Sequence, residues 1–167
     1  HGEWPIHTEV MLARPDVMVS LHSHPEFATL LSVGDAPMLK ITQDGMRLGP
    51  GEIPTYMDTA DLVTERQQGR GVASALGAAG ILFMRNHGTS VFSGSIAKLA
   101  LTGIFLERAA RAFLRARAAG IALHVATPED AGAVYGSLES EGFVSDNWDY
   151  LKRDLQRRET AGPGENR

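Results

Sequence analysis

Residues 17–24, VMVSLHSH, alternate strictly: Val17, Val19, Leu21 and Ser23 fall on one side of an extended chain, and Met18, Ser20, His22 and His24 on the other. A period of two predicts a β-strand, and it places both imidazoles of the His-x-His pair on one face. The rise per residue sets those side chains about 6 to 7 Å apart. Upstream, Ile6, Val10 and Ala13 recur at helical spacing over residues 6–13, and Arg14-Pro15-Asp16 stops that helix. Downstream, Phe27, Leu30 and Leu31 predict a short helix over 26–33 that ends at Gly34. From 35 to 60 prolines and glycines break the pattern, and short strands are expected around MLKIT (38–42) and EIPTYM (52–57).

Residues 62–77, LVTERQQGRGVASALG, read as a helix with Val63, Val72, Ala75 and Leu76 inward, weakened by Gly69 and Gly71 and ending at Gly77 or Gly80. GILFMRNHG (80–88) is an apolar run of strand length closed by a histidine, and SVFSG (90–94) reads as its partner. Ser95 caps a long helix over 96–119, with Leu99, Ile104, Leu106, Ala110, Phe113 and Leu114 on its apolar side and Gly120 at its end. Pro128 and two acids open a helix over 128–142, and DNWDYLKRDLQRR (146–158) predicts a last one. Helices mixed with strands, without repeats, indicate an α/β or α+β arrangement.

Composition narrows the function classes. A chain of 167 residues, 43% hydrophobic and 22% charged, suits one domain, expected over 1–158, followed by a Gly/Pro-rich polar tail over 159–167. Acidic and basic residues are interspersed and the net charge is -4, so no basic face for nucleic acid is expected. Cysteine is absent, which removes disulfides and thiolate ligands and leaves histidine and carboxylate as the available metal chemistry. No apolar run reaches the roughly 20 residues of a membrane span, the first residues carry no signal pattern, and a cytoplasmic protein is expected. The chain opens on His1 and its first nine residues already read as domain interior, so a further N-terminal segment is expected ahead of it.

Two histidines on one strand face can reach one cation, and His87 at a second strand end is the natural third ligand of a site open to water or substrate. The competing reading makes each histidine a hydrogen-bonded core residue. The runs EWPIHTEVMLARPDVMVSLHSHPEFATLLS and GILFMRNHGTSVFSGSIAKLALTGIFLERAARA tip the balance. An acidic residue, a helix with a histidine, RPDV, an HxH strand, an NHG strand and a long helix carrying a glutamate occur in order over residues 2 to 120. Together they resemble the class II aldolase and adducin superfamily, in its metal-dependent branch.

The resemblance implies an α/β/α fold, with a central, mostly antiparallel sheet flanked by helices. It makes His22, His24 and His87 ligands of one divalent ion, Zn2+ foremost, with Mn2+, Co2+ or Fe2+ as alternatives. Glu3 falls where the aldolases place a carboxylate that ligates the resting metal or acts as acid/base beside it. His7 is a candidate hydrogen-bond partner of the site, Trp4, Arg85 and Asn86 are candidate substrate contacts, and Trp4, Phe27 and Trp148 could line an aromatic pocket. Glu107 and His124 are assigned no chemistry. Fuculose-type aldolases carry a tyrosine after the HxH helix, and APMLKITQDGM (36–46) offers none. The stretches PTYMDTADLVTERQQGRGVASALG, MRNHG and NWDYLKR look closer to the decarboxylases of hydroxyaromatic acids. The expected activity is therefore a metal-dependent carbon-carbon lyase acting on a small molecule, decarboxylation first. Retro-aldol cleavage, an iron-dependent oxygenase on the same histidines and a non-catalytic adducin-like module are the alternatives. A homotetramer with sites between subunits is also implied.

Overall fold

In the computed structural model, which describes residues 2–136 and 140–161, the chain runs α1 (Trp4–Ala13), β1 (Val19–Ser23), α2 (Glu26–Leu31), α3 (Gln43–Met46), β2 (Thr55–Tyr56), α4 (Arg66–Leu76), β3 (Ile81–Met84), β4 (Gly88–Ser93), α5 (Ile96–Ala118), α6 (Pro128–Tyr135) and α7 (Glu141–Ala161). The strands form one sheet in the order β1-β4-β3-β2, antiparallel except where β2 joins β3. One face is covered by α1 and α4, through Ile6, Val10, Val72, Leu76, Leu82 and Met84. The other face meets α2 and α5, through Ala28, Leu31, Phe83, Val91, Leu106 and Phe113. Helices on both faces of a mostly antiparallel sheet are the α/β/α arrangement expected.

Several expectations need correction. MLKIT is not a strand, and of EIPTYM only Thr55–Tyr56 pairs; the short helix α3 instead occupies Gln43–Met46, capped by the Thr42 hydroxyl accepting from Gly45 N–H. Lys40 breaks the first segment's apolar pattern, and its ammonium reaches the Gly51 carbonyl at 2.5 Å rather than solvent. Leu30 and Ile104 are exposed; Ala28 and Leu31 turn α2 inward, and Leu101 and Phe105 serve α5, because α7 covers a second side of that helix. The helix expected over 128–142 ends at Tyr135, and residues 137–139 lie outside the described residues. Helix α7 continues to Ala161, into the expected tail, whose residues 162–167 also lie outside the described residues.

Gly69 and Gly71, which weaken α4 as an isolated helix, are explained by packing. A Cβ on Gly69 would lie 2.6 Å from the Pro5 carbonyl oxygen and 2.8 Å from Glu9 Cγ. Only a bare α-carbon lets α4 approach α1 this closely, and α1 is the helix that begins beside Glu3. Gly69→Ala would gain up to about 1 kcal/mol of helix propensity. Overpacking against backbone costs about 1–3 kcal/mol. The expected net result is a lower urea midpoint, whereas Gly132→Ala on α6, where a Cβ meets nothing within 4 Å, should raise it. A Gly69→Ala midpoint at or above wild type would contradict the close packing of α1 on α4.

Candidate metal centre

Three chain segments converge at one end of the sheet. His22 lies on β1, an edge strand whose antiparallel register sets it directly opposite Ser90 on β4. Cross-strand partners share a face, and His22 Nδ1 lies 3.0 Å from the Ser90 hydroxyl. His24 follows the strand end, and its Nε2 sits 3.1 Å from His22 Nε2. His87 closes the β3–β4 connection, where Asn86 takes the left-handed conformation at φ 55° and donates its N–H to the Ser32 carbonyl. Asparagine tolerates that conformation better than most residues, so Asn86 shapes the turn that delivers His87. The next residue, Gly88, leaves room for the His24 ring: a Cβ there would collide with His24 Cδ2 and stand 2.8 Å from the Ser23 carbonyl.

The ring centroids are 5.0, 5.0 and 4.9 Å apart, and one nitrogen from each ring lies within 4.8 Å of the others. Glu3 completes the cluster. At the start of α1 its side chain does not cap the helix. Instead the carboxylate is buried, with Oε1 accepting from Val63 N–H at 3.1 Å and lying 3.6 Å from His87 Nε2, and Oε2 lying 3.7 Å from His22 Nε2. Among the described residues no lysine or arginine pairs with it. A buried carboxylate without a compensating cation is costly.

This donor set fits a divalent ion. Zinc-nitrogen bonds of about 2.0–2.1 Å in tetrahedral geometry place ligand nitrogens roughly 3.3 Å apart. The 3.1 Å between the His22 and His24 Nε2 atoms is already close to that separation. His87 Nδ1 is buried without a hydrogen-bond partner, which leaves its Nε2 as the nitrogen facing the cluster.

Burial lowers the His22 pKa to about 4, partly offset by the Glu3 carboxylate and reinforced by the neighbouring imidazoles. The ring is therefore neutral at pH 7, the form that ligates metal. Because its unfolded value is 6.5, unfolding the metal-free protein takes up a proton between pH 6.5 and about 4. The stability involved is fully present above pH 6.5 and is lost as pH falls to 4, a decline on the order of 2–3 kcal/mol. Denaturation midpoints recorded between pH 7.5 and 4.5 should fall accordingly, and more steeply than for His22→Asn. Parallel curves for the two proteins would sink this assignment.

The remaining candidates are dispersed. His7 on α1 bonds the Ser20 hydroxyl at 2.7 Å, one step along β1 from the site, and burial lowers its pKa against a raising effect of Glu3. Trp4 is 42% exposed at the first position of α1. Arg85 follows Phe83 in alternation and lines a recess of about 480 Å3 with Ser32, Asp35 and Thr55, at the end of α2; its Nε is buried without a partner. That recess opens on the α2 side of the sheet, not on the α1 side where Ser90 and His22 meet. Trp4, Phe27 and Trp148 do not form one pocket within the chain. Trp4 begins α1, Phe27 packs into the core on the opposite face, and Trp148 sits on α7, which lies outside α5.

Two contributors escape sequence reading. Ser90 is fully buried beside His22, and nothing in the run GTSVFS distinguishes its hydroxyl from those of Thr89 and Ser93. The Glu107 carboxylate on α5 accepts N–H groups from Phe27 and Ala28 at 2.8 to 3.1 Å, anchoring the helix that follows His24-Pro25. Nothing local to Glu107 points across to α2. His124 lies at a surface recess with Lys40 and Asp130, apart from the cluster.

Comparison with known proteins identifies the family and the fold. Residues 1–114 match the Class II Aldolase and Adducin N-terminal domain. The chain is 32% identical over 126 residues to 3,4-dihydroxyphthalate decarboxylase of Arthrobacter keyseri, covering 73% of this chain and 50% of that protein. An aldolase II superfamily protein from Pseudomonas syringae superposes with a TM-score of 0.79 at 23% identity, over 93% of this chain and 63% of that one. L-fuculose 1-phosphate aldolase from Glaciozyma antarctica PI12 does so with a TM-score of 0.73 at 24% identity, over 90% and 57%. The chain thus spans about half the length of the curated relatives it matches, and the structural likeness at these identities establishes the fold. With the family match extending across both histidine-bearing strand ends and into α5, the chain belongs to the class II aldolase and adducin N-terminal domain family.

Proposed function

We propose that this chain carries the metal site of a divalent-metal-dependent carbon-carbon lyase that decarboxylates a hydroxyaromatic acid. The observation that carries the reading is the convergence of three imidazoles, their ligand nitrogens within 4.8 Å of one another, with two of them, His22 and His87, facing the buried Glu3 carboxylate. The choice of decarboxylation is supported by the 32% identity to a 3,4-dihydroxyphthalate decarboxylase. A cation held by His22, His24 and His87 would polarise neighbouring substrate oxygens and offset the negative charge that builds as the bond breaks.

The protein's own share is proton management. Val63 N–H holds Glu3 Oε1, so Oε2 is the oxygen free to carry a proton. When the carbon-carboxylate bond breaks, its electron pair stays on the ring carbon, CO2 leaves, and Glu3 Oε2 delivers a proton to that carbon before being reprotonated from solvent. Retro-aldol cleavage would use the same carboxylate in the same role. An Fe2+-dependent oxygenase would use the same three nitrogens.

The test is to supply the purified protein with Zn2+, Mn2+, Co2+ or Fe2+. CO2 release is then followed on a panel of ortho-hydroxylated aromatic acids, beside hydroxy-keto and sugar-phosphate aldol substrates and an oxygen electrode. Metal-dependent CO2 release without oxygen uptake is expected. Aldol cleavage or oxygen consumption alone would replace this reading, and a metal-loaded protein inert on every arm would overturn it. We further propose a homotetramer, measurable by light scattering in solution. No described helix is long and apolar enough to cross a membrane.

A further inference from the structure

The three imidazoles are not held alike. His22 Nδ1 is 3.0 Å from the hydroxyl of Ser90, a residue with no solvent exposure, so no water competes for that contact. The same hydroxyl donates to Met84 Sδ at 3.4 Å. A thioether sulfur has no proton to give, so it can only accept. Both contacts are satisfied at once in one arrangement, in which Ser90 donates to Met84 and accepts from His22, which then carries its own proton on Nδ1; donation to Nδ1 instead would leave the sulfur contact without a proton. The Glu3 carboxylate, the other group able to claim a His22 proton, stands 3.7 Å from Nε2, beyond hydrogen-bond reach.

His24 follows from His22. Its Nε2 lies 3.1 Å from His22 Nε2, a distance at which one nitrogen donates and the other accepts. If His22 bears its proton on Nδ1, its Nε2 is a bare lone pair and His24 Nε2–H is the donor. We infer that Ser90 commits His22 to the Nδ1–H tautomer, so that His22 presents its Nε2 lone pair before any cation arrives, while His24 holds its proton on Nε2 and must change tautomer to join it. Ser90 is in this sense a positioning residue: it touches no substrate and acts through His22. The consequence for metal capture rests on the metal reading above, whereas the tautomers themselves do not.

The experiment uses the full chain, stripped of metal with a chelator, labelled with 15N-histidine and held at pH 7.5. Long-range proton-nitrogen correlation spectra distinguish the two tautomers, and signals are assigned by their loss in His22→Asn and His24→Asn. Nδ1–H at His22 and Nε2–H at His24 are expected, and zinc should switch the proton of His24 and leave that of His22 in place. Ser90→Ala should turn His22 into a mixture of tautomers and weaken zinc binding, in competition with a chelating dye, by about 10- to 100-fold. Ser90→Thr should restore both, because it keeps the hydroxyl on a strand that accepts β-branching. A proton on Nε2 of His22 in the wild-type protein, or a Ser90→Ala variant with an unchanged His22 tautomer, would overturn the inference. Wild-type tautomers as stated in a protein that takes up no zinc would refute the metal reading alone.

Discussion

His87→Ala is expected to abolish stable binding of a divalent cation. His87 is one of three imidazoles whose ligand nitrogens lie within 4.8 Å of one another, and its Nε2 is 3.6 Å from the Glu3 carboxylate. Two nitrogens and a single carboxylate would remain, and the ring's place at the β3–β4 connection would be taken by a methyl group. Loss of a group that merely orients a ligand costs about 10- to 100-fold in metal affinity. Loss of a ligand should exceed that, leaving no metal after desalting where the wild type retains about one equivalent. Elemental analysis of the two proteins reads this directly, and a metal-dependent rise in melting temperature should vanish in the variant. His22→Ala should behave the same way. Full metal occupancy in either variant would remove the three-histidine centre from consideration.

Glu3→Gln should separate catalysis from binding. The amide keeps the shape of the carboxylate and can still accept from Val63 N–H at the Oε1 position, so the start of α1 and the approach of the 62–65 segment are preserved. The charge is lost, and with it the ability to carry a proton at the second oxygen. General acid–base catalysis contributes about 10^2- to 10^4-fold, and kcat on the substrate that responds to the wild type should fall by that factor. Metal should remain bound, because the three imidazoles are untouched. Glu3→Ala, in contrast, strands the buried Val63 N–H and should cost about 1–3 kcal/mol of stability as well. A Glu3→Gln enzyme within a fewfold of wild-type kcat would show that the proton comes from elsewhere.

The two variants rest on parts of the chain that differ in how openly the sequence displays them. The alternation of residues 17–24 identifies the strand and puts Ser20 and His22 on one face, and the structure agrees: Ser20 meets His7 of α1 and His22 meets Ser90. The cap at Ser95, the Pro128 helix start and the positive φ of Gly120 were equally legible, since capping and left-handed turns depend on a few adjacent residues. Periodicity failed where a segment is governed by distant partners. Residues 38–42 look like a strand and yet pair with no strand of the sheet; α3 begins directly after them at Gln43, and the Lys40 carbonyl accepts from Ala126 N–H instead. Ile104 belongs by spacing to the buried stripe of α5 and lies exposed, because the second contact of that helix is with α7 and recruits Leu101 and Phe105 instead.

For the site, residue types and order in the chain were enough to nominate His22, His24, His87 and Glu3, and the motif resemblance supplied the family. Those are local facts: a spacing, a strand end, an NHG turn. Glu3 meets His22 and His87 from the start of α1, the helix against which Gly69 lets α4 lie without a side chain between them. Ser90 lies beside His22 because of an antiparallel register between segments separated by more than sixty residues of chain, and Glu107 anchors the helix after His24 across a comparable gap. A sequence pattern reports which face a residue shows, whereas a register or a helix crossing is settled by how all the faces close over one core. The identity of the candidate metal ligands is thus a property of the chain, and the partner that each imidazole meets is a property of the fold.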